Sequence, residues 1–211
     1  MDDTMIKAAT HKLVAGALCL DFVNTVGGYD TDQPHEYLPS YTALVVWSQH
    51  ADLLTDTDAD HLLARAAQRP ADGTAVLHAA HRLRDLLRRV FVAVAQGIVA
   101  SAEDLAVFNM HVPTALAQTR VTPTGTGYAW TWADDRDALD RMLWPIVRSA
   151  AEVLVAGDLT RVRVCGGDRC GWLFVDTSKN RSRRWCDMQD CGNVAKVRRF
   201  RTRQHAEHDH A

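Results

Sequence analysis

Four cysteines fall within 27 residues near the end of the chain, spaced Cys165-x4-Cys170, then fifteen residues, then Cys186-x4-Cys191. Clustered cysteines outside a secreted, disulfide-rich context hold a metal more often than they pair with each other. Glycines crowd the same positions. Gly166, Gly167 and Gly171 surround the first pair and Gly192 follows the second, where knuckle turns call for positive φ. Four thiolates satisfy the tetrahedral preference of zinc and leave no open position. The pattern therefore predicts a structural zinc ion rather than a catalytic one. A segment this short cannot bury a sufficient core of its own, and a structural zinc contributes on the order of 10 kcal/mol or more to such peptides. Oxidation of the thiolates to a disulfide, with release of the ion, is the redox alternative. The fifth cysteine, Cys19, sits in an apolar run and reads as an inert core residue.

The charge distribution marks the same segment. Residues 1–160 hold 12 Lys+Arg against 20 Asp+Glu, whereas residues 161–203 hold 12 Lys+Arg against 4 Asp. A basic end on an acidic body points to nucleic acid. Lys179, Arg181, Arg183 and Arg184 lie between the cysteine pairs, and Lys196, Arg198, Arg199, Arg201 and Arg203 follow them. In a helix beginning near Gly192, Lys196, Arg199 and Arg203 share one face, flanked by Arg198 and Arg201. Guanidinium forks match phosphate oxygens, and Ser178, Asn180 and Ser182 are neutral donors of the same use. Against this, Arg183 or Arg184 can pair with Asp176 or Asp187 inside the small domain. Trp172, Phe174 and Trp185 suit a miniature core better than base-stacking platforms, and Phe200 suits an anchor for the last helix. No base-reading element stands out.

The rest of the chain reads as mostly helical. Ser40 can cap a helix over 41–54, and a second runs over 58–68 to a stop at Pro70. The strongest helical period lies over 75–96, where Val76, Leu83, Leu86, Leu87, Val90 and Val94 form a stripe and Arg82, Arg84, Arg88 and Arg89 take the other faces. Ser101 with Asp104 opens a helix toward Ala117. Residues 120–132 alternate around Pro123-Thr124-Gly125-Thr126-Gly127, a β-hairpin with Tyr128, Trp130 and Trp132 on one face. Helix returns over 134–155, bent at Pro145. Gly157-Asp158 reads as a hinge, followed by two short strands at 162–164 and 172–175 and a last helix over 192–205. The fold class is α+β, mostly helical: an α-rich N-terminal domain with one hairpin over 1–157 and a small zinc domain over 158–211.

Two runs of sequence resemble a known family. Cys165-Gly166-Gly167-Asp168-Arg169-Cys170-Gly171-Trp172-Leu173-Phe174-Val175-Asp176-Thr177-Ser178-Lys179-Asn180, followed by Arg183-Arg184-Trp185-Cys186-Asp187-Met188-Gln189-Asp190-Cys191-Gly192-Asn193, resembles the CGNR zinc finger. Leu20-Asp21-Phe22-Val23-Asn24-Thr25 resembles the signature of the ABATE domain that precedes it. The resemblance covers nearly the whole chain. It implies an α-rich, mixed N-terminal domain, a zinc domain of treble-clef type, and a transcription regulator that is stress-linked and ligand-responsive. One position departs: Val194 stands where the motif has arginine. Either a phosphate contact or a packing contact against the knuckle is replaced there.

Other function classes find less support. No window of 18 uncharged apolar residues suggests a membrane span. The N-terminal run Leu13 to Cys19 leads into Asp21 with no small-residue cleavage site, so the expected location is cytoplasmic. No nucleophile elbow, phosphate loop or HExxH motif is present, and an enzyme is not expected. Asp21 and Asn24 interrupt an apolar segment. They read as caps, or as the polar groups of a small-effector pocket. His78, His81 and His111 suit surface or core positions better than a second metal site. The expected partners are DNA, a small effector and a second copy of the chain. An RNA-binding or protein-interaction module is the competing reading.

Overall fold

A computed structural model describes residues 3–29, 31–133 and 135–208, without the side chains of Asp3, Phe200 and residues 203–208. The chain opens with α1 (Asp3–Ala9) and α2 (Leu18–Val23), then a small antiparallel pair, β1 (Val26–Gly27) and β2 (His35–Glu36). Helix α3 (Tyr41–His50) starts where expected, because the Ser40 hydroxyl accepts from the Ala43 amide at 3.1 Å. Helix α4 (Asp56–Gln68) starts on a capping box between Thr55 and Asp58.

Pro70 does more than stop α4. It is also the first residue of α5 (Pro70–Ala95), so the helix begins five residues earlier than its apolar period suggests. Proline lacks an N–H and has φ preset for the first helical position, which makes one residue the end of one helix and the start of the next. Leu77, Ala80, Leu83, Leu86, Leu87, Val90 and Phe91 of α5 are buried. So is Arg84, only 3% exposed, contrary to its expected place on a solvent face. Its guanidinium donates to Glu36 Oε1 at 2.8 Å and Thr25 Oγ1 at 3.0 Å, tying β2 to α5. Burial alone pulls the Glu36 carboxyl up, but Arg84 overrides this and holds it below the usual range.

Helix α6 (Ala102–Ala117), capped by Ser101, leads into the hairpin of β3 (Thr119–Thr124) and β4 (Gly127–Trp132), with Val121 opposite Trp130. Trp130 and Trp132 face Arg148, whose guanidinium lies 4.5 Å from the Trp130 ring centre. Helix α7 (Leu143–Ala156) is shorter than expected. Pro145 lies in its first turn, where a missing N–H costs nothing, instead of bending a longer helix. At its end a Cβ on Gly157 would stand 2.4 Å from the Val153 carbonyl oxygen, so the chain turns there only with glycine.

A 3₁₀ turn (Leu159–Arg161) leads to β5 (Val162–Val164), which pairs antiparallel with β6 (Leu173–Val175); a π turn (Met188–Gly192) then opens α8 (Asn193–His208). The fold is thus mostly helical with small antiparallel hairpins. One hydrophobic core runs from Ala8 through Phe91 and Trp144 to Phe174 and Cys186, so the zinc segment shares its core with the helical body. No helix among the described residues is long and apolar enough to cross a membrane.

Candidate metal centre and basic surface

The β5–β6 hairpin carries the first cysteine pair on its loop. The Cys165 amide donates to the Trp172 carbonyl at 2.7 Å and closes it. Gly171, directly after Cys170, has φ of +68°, the left-handed geometry expected of a knuckle. Gly167 is needed for a different reason: a Cβ there would sit 3.1 Å from the Cys191 sulfur. Gly166, Gly167 and Gly192 do not take positive φ, so the expected reason for glycine fails at those three positions.

The second pair arrives from the other side. The Cys186 amide points at Cys165 Sγ at 3.3 Å, and Cys191 lies in the π turn that opens α8. All four sulfurs lie within 4.8 Å of one another. Cys170 Sγ is 3.6 Å from Cys186 Sγ, which is 3.7 Å from Cys191 Sγ. A tetrahedron with zinc–sulfur bonds of about 2.3 Å has edges of about 3.8 Å. The sulfurs are therefore placed for a shared ion, and all are far beyond the disulfide bond length of about 2.05 Å. Hydrogen bonds from Cys170 and Cys186 drive the Cys165 thiol down to about 2, while Cys165 pushes Cys170 up to about 12 and raises Cys186 as well; burial raises Cys191. Four thiolates this close require a divalent cation to coexist. Residues Cys165, Cys170, Cys186 and Cys191 would hold zinc in a closed tetrathiolate site, which organises structure and leaves no position for a reacting water.

The two parts of the chain match two family models. Residues 161–204 match the CGNR zinc finger, and residues 16–157 match ABATE, described as a "putative stress-induced transcription regulator". The chain belongs to the ABATE family, with a C-terminal CGNR zinc finger. No curated protein matches the chain.

In this ABATE protein Asp21 and Asn24 of the Leu20–Thr25 signature join the parts. The Asn24 amide donates to the Leu173 carbonyl at 2.8 Å and accepts from the Leu173 amide at 2.9 Å, covering the outer edge of β6. Asp21 accepts from the Ala15 amide at 2.9 Å, and Ala15 in turn accepts from the Val175 amide at 2.7 Å. Burial raises the Asp21 carboxyl to about 6 in spite of that bond. Both side chains serve backbone groups, and neither lines the cavity beside the zinc segment. That cavity, of about 530 Å³, lies between β1–β2 and the zinc segment, lined by Gly27, Tyr37, Arg169, Trp172, Val194 and Arg198.

The basic residues fall into two groups. Arg183 is structural. Its side chain donates to the carbonyls of Val14 at 2.9 Å, Trp185 at 3.1 Å and Cys186, and its guanidinium lies 4.4 Å from the Phe174 ring centre. Its partners are backbone carbonyls, which no charge pairing with Asp176 or Asp187 anticipates. Arg181 bonds Asp158 and Thr160 at 3.0 Å each, and Arg198 pairs with Asp168. By contrast, Lys179, Arg184, Lys196, Arg199 and Arg201 are exposed and have no acidic partner among the described residues. Arg184 and Arg199 flank Trp185, their guanidinium carbons 5.9 and 5.8 Å from its ring centre. The Arg203 side chain lies outside the described residues, as does that of Phe200.

Several residues escaped sequence reasoning. Lys12 donates to Asp187 and Asp190 at 2.6 Å each, a clamp across 175 residues that only the tertiary structure reveals. Arg161 braces the loop after β6 through the carbonyls of Asp176 at 2.7 Å and Ser178 at 3.2 Å. Cys19 is fully buried, and burial lifts its thiol to about 12, as befits a core residue. Among the described residues the four cysteines are the only group placed to hold a metal; His81 bonds the Leu38 carbonyl at 2.9 Å instead.

Proposed function

We propose that this protein is a DNA-binding transcription regulator that grips the phosphate backbone through its zinc-held basic face. The supporting observation is the convergence of Arg184, Lys196 and Arg199, none with an acidic partner among the described residues, on one side of the module that the four cysteines organise. A closed tetrathiolate site has no vacancy for a substrate, which supports a binding role over an enzymatic one. Thiolate ligands and a reduced Cys19 suit the cytoplasm.

The test is binding of a labelled duplex by fluorescence anisotropy over a salt series. A Lys196→Ala/Arg199→Ala double variant should lower the slope of log K against log[salt] by about 2 relative to the native chain. An unchanged slope removes α8 from the contact surface. Competition with RNA of the same sequence addresses the RNA-binding alternative: RNA displacing the duplex at lower concentration favours that reading.

The cavity beside the zinc segment supports an effector role. Its walls come from both parts of the chain and include Val194 and Arg198 of α8, so an occupant would touch the helix that carries the basic face. Compounds that stabilise the native chain should fail to stabilise an Ala195→Phe variant, which fills the cavity. Equal stabilisation of both refutes this location.

A further inference from the structure

We infer that the groove beside Trp185 is a slot for one unpaired nucleobase, so that the protein prefers DNA carrying unpaired bases over closed duplex. The inference rests on the DNA-binding reading and goes beyond it by naming what the interface takes. The groove, about 440 Å³, is lined by Trp185, Met188, Gln189, Asn193, Lys196 and Arg199.

Trp185 is only part-buried and packs against the edge of the core, which leaves ring surface on the groove. Its backbone is fixed, since its carbonyl accepts from Arg183 and its neighbour Cys186 is bound into the metal centre. A rigid aromatic plane open to solvent is what base stacking requires. The guanidinium groups of Arg184 and Arg199 stand near the outer limit of attraction to the ring, at 5.9 and 5.8 Å. Among the described residues neither is held by a carboxylate, and Arg199 makes only a 3.4 Å bond from Nε to the Ala195 carbonyl of its own helix, so each can swing to a phosphate as a base enters. Lys196 lies one helical turn from Arg199 and supplies a third cation on the same wall. Met188, 63% exposed, offers a soft apolar surface beside the ring. The side-chain amides of Gln189 and Asn193 make no hydrogen bond among the described residues and line the same groove, where they can bond a base edge. A paired base in a duplex has its faces covered by its neighbours and cannot use such a plane. An unpaired one can.

The experiment compares a 20-base-pair duplex with the same duplex carrying three mismatched positions, by anisotropy, with the zinc-loaded full chain. The expected result is roughly tenfold tighter binding of the mismatched duplex, as stacking of one base supplies. Trp185→Leu should erase the preference, so that both duplexes bind with equal affinity, and Trp185→Phe should keep part of it. A second measurement needs no variant. With 5-iodouracil at a mismatched position, ultraviolet crosslinking of the native chain should map to Trp185. Equal affinity for both duplexes, or a crosslink only elsewhere, overturns the slot and leaves the DNA-binding reading standing. Binding of neither duplex overturns both. Tighter binding of single-stranded RNA than of the mismatched duplex overturns the assignment of the slot to DNA.

Discussion

Replacing Asn24 by alanine should separate the two halves of the protein energetically. Asn24 is fully buried, and its amide serves the N–H and the C=O of Leu173 at once, at 2.9 and 2.8 Å. Alanine removes both partners and supplies none. Two backbone groups of β6 are then buried and unsatisfied, and each costs about 1–3 kcal/mol. The expected destabilisation is about 2–6 kcal/mol. For a domain of this size each kcal/mol lowers Tm by about 2–4 °C, so a mid-range loss of about 4 kcal/mol lowers it by about 8–16 °C. The measurement is calorimetric or fluorescence melting at fixed free zinc, since ligand concentration itself moves Tm. Asn24→Asp should fare no better. It keeps the acceptor for the Leu173 amide but sets a carboxylate oxygen against the Leu173 carbonyl. A drop below about 2 °C in both variants refutes the claim that this residue holds the zinc segment to the helical body.

Zinc loading should release about three protons per ion near neutral pH, because Cys170, Cys186 and Cys191 are all raised while only Cys165 is lowered. Calorimetric titrations in buffers of different ionisation heat read this number, and affinity that does not rise with pH contradicts it. Arg183→Lys should cost about 2–4 kcal/mol of stability, since a single ammonium cannot replace a fork bonded to several carbonyls, whereas Arg184→Ala should leave Tm within about 1 °C and weaken only DNA binding. His11 is buried, and burial lowers it from 6.5 to about 4. Its contribution is therefore fully present above pH 6.5 and is lost as pH falls toward 4. A His11→Gln variant with zinc held saturating should lose about 3 kcal/mol less than the native chain over that window, and parallel pH profiles would contradict the assignment.

The metal site was legible because zinc chemistry is local: four sulfurs in two short turns need little beyond their spacing. Two helix starts were legible for the same reason. Ser40 and Ser101 each satisfy an amide three residues on, whatever the rest of the chain does. Arg84 shows where such reasoning fails. A helical wheel puts it on the polar side, and only the return of β2, 48 residues away in sequence, makes burial with Glu36 affordable.

Arg183 and Arg184 make the same point within two positions. Both are arginines between the cysteine pairs, and composition treats them alike. The register of the loop turns Arg183 inward onto carbonyls from Val14 and Cys186, and turns Arg184 outward beside Trp185. A count of basic residues therefore overstates the phosphate-binding surface. Arg161, Arg181, Arg183 and Arg198 are occupied by partners within the protein, and the cations that converge on Trp185 are Arg184, Lys196 and Arg199. Val194 fits that division. It stands on the cavity side of α8 with Arg198, away from the residues that line the Trp185 groove. Loss of the motif arginine at this position therefore alters the wall facing the N-terminal part and leaves the proposed DNA-facing groove with its full set of charges.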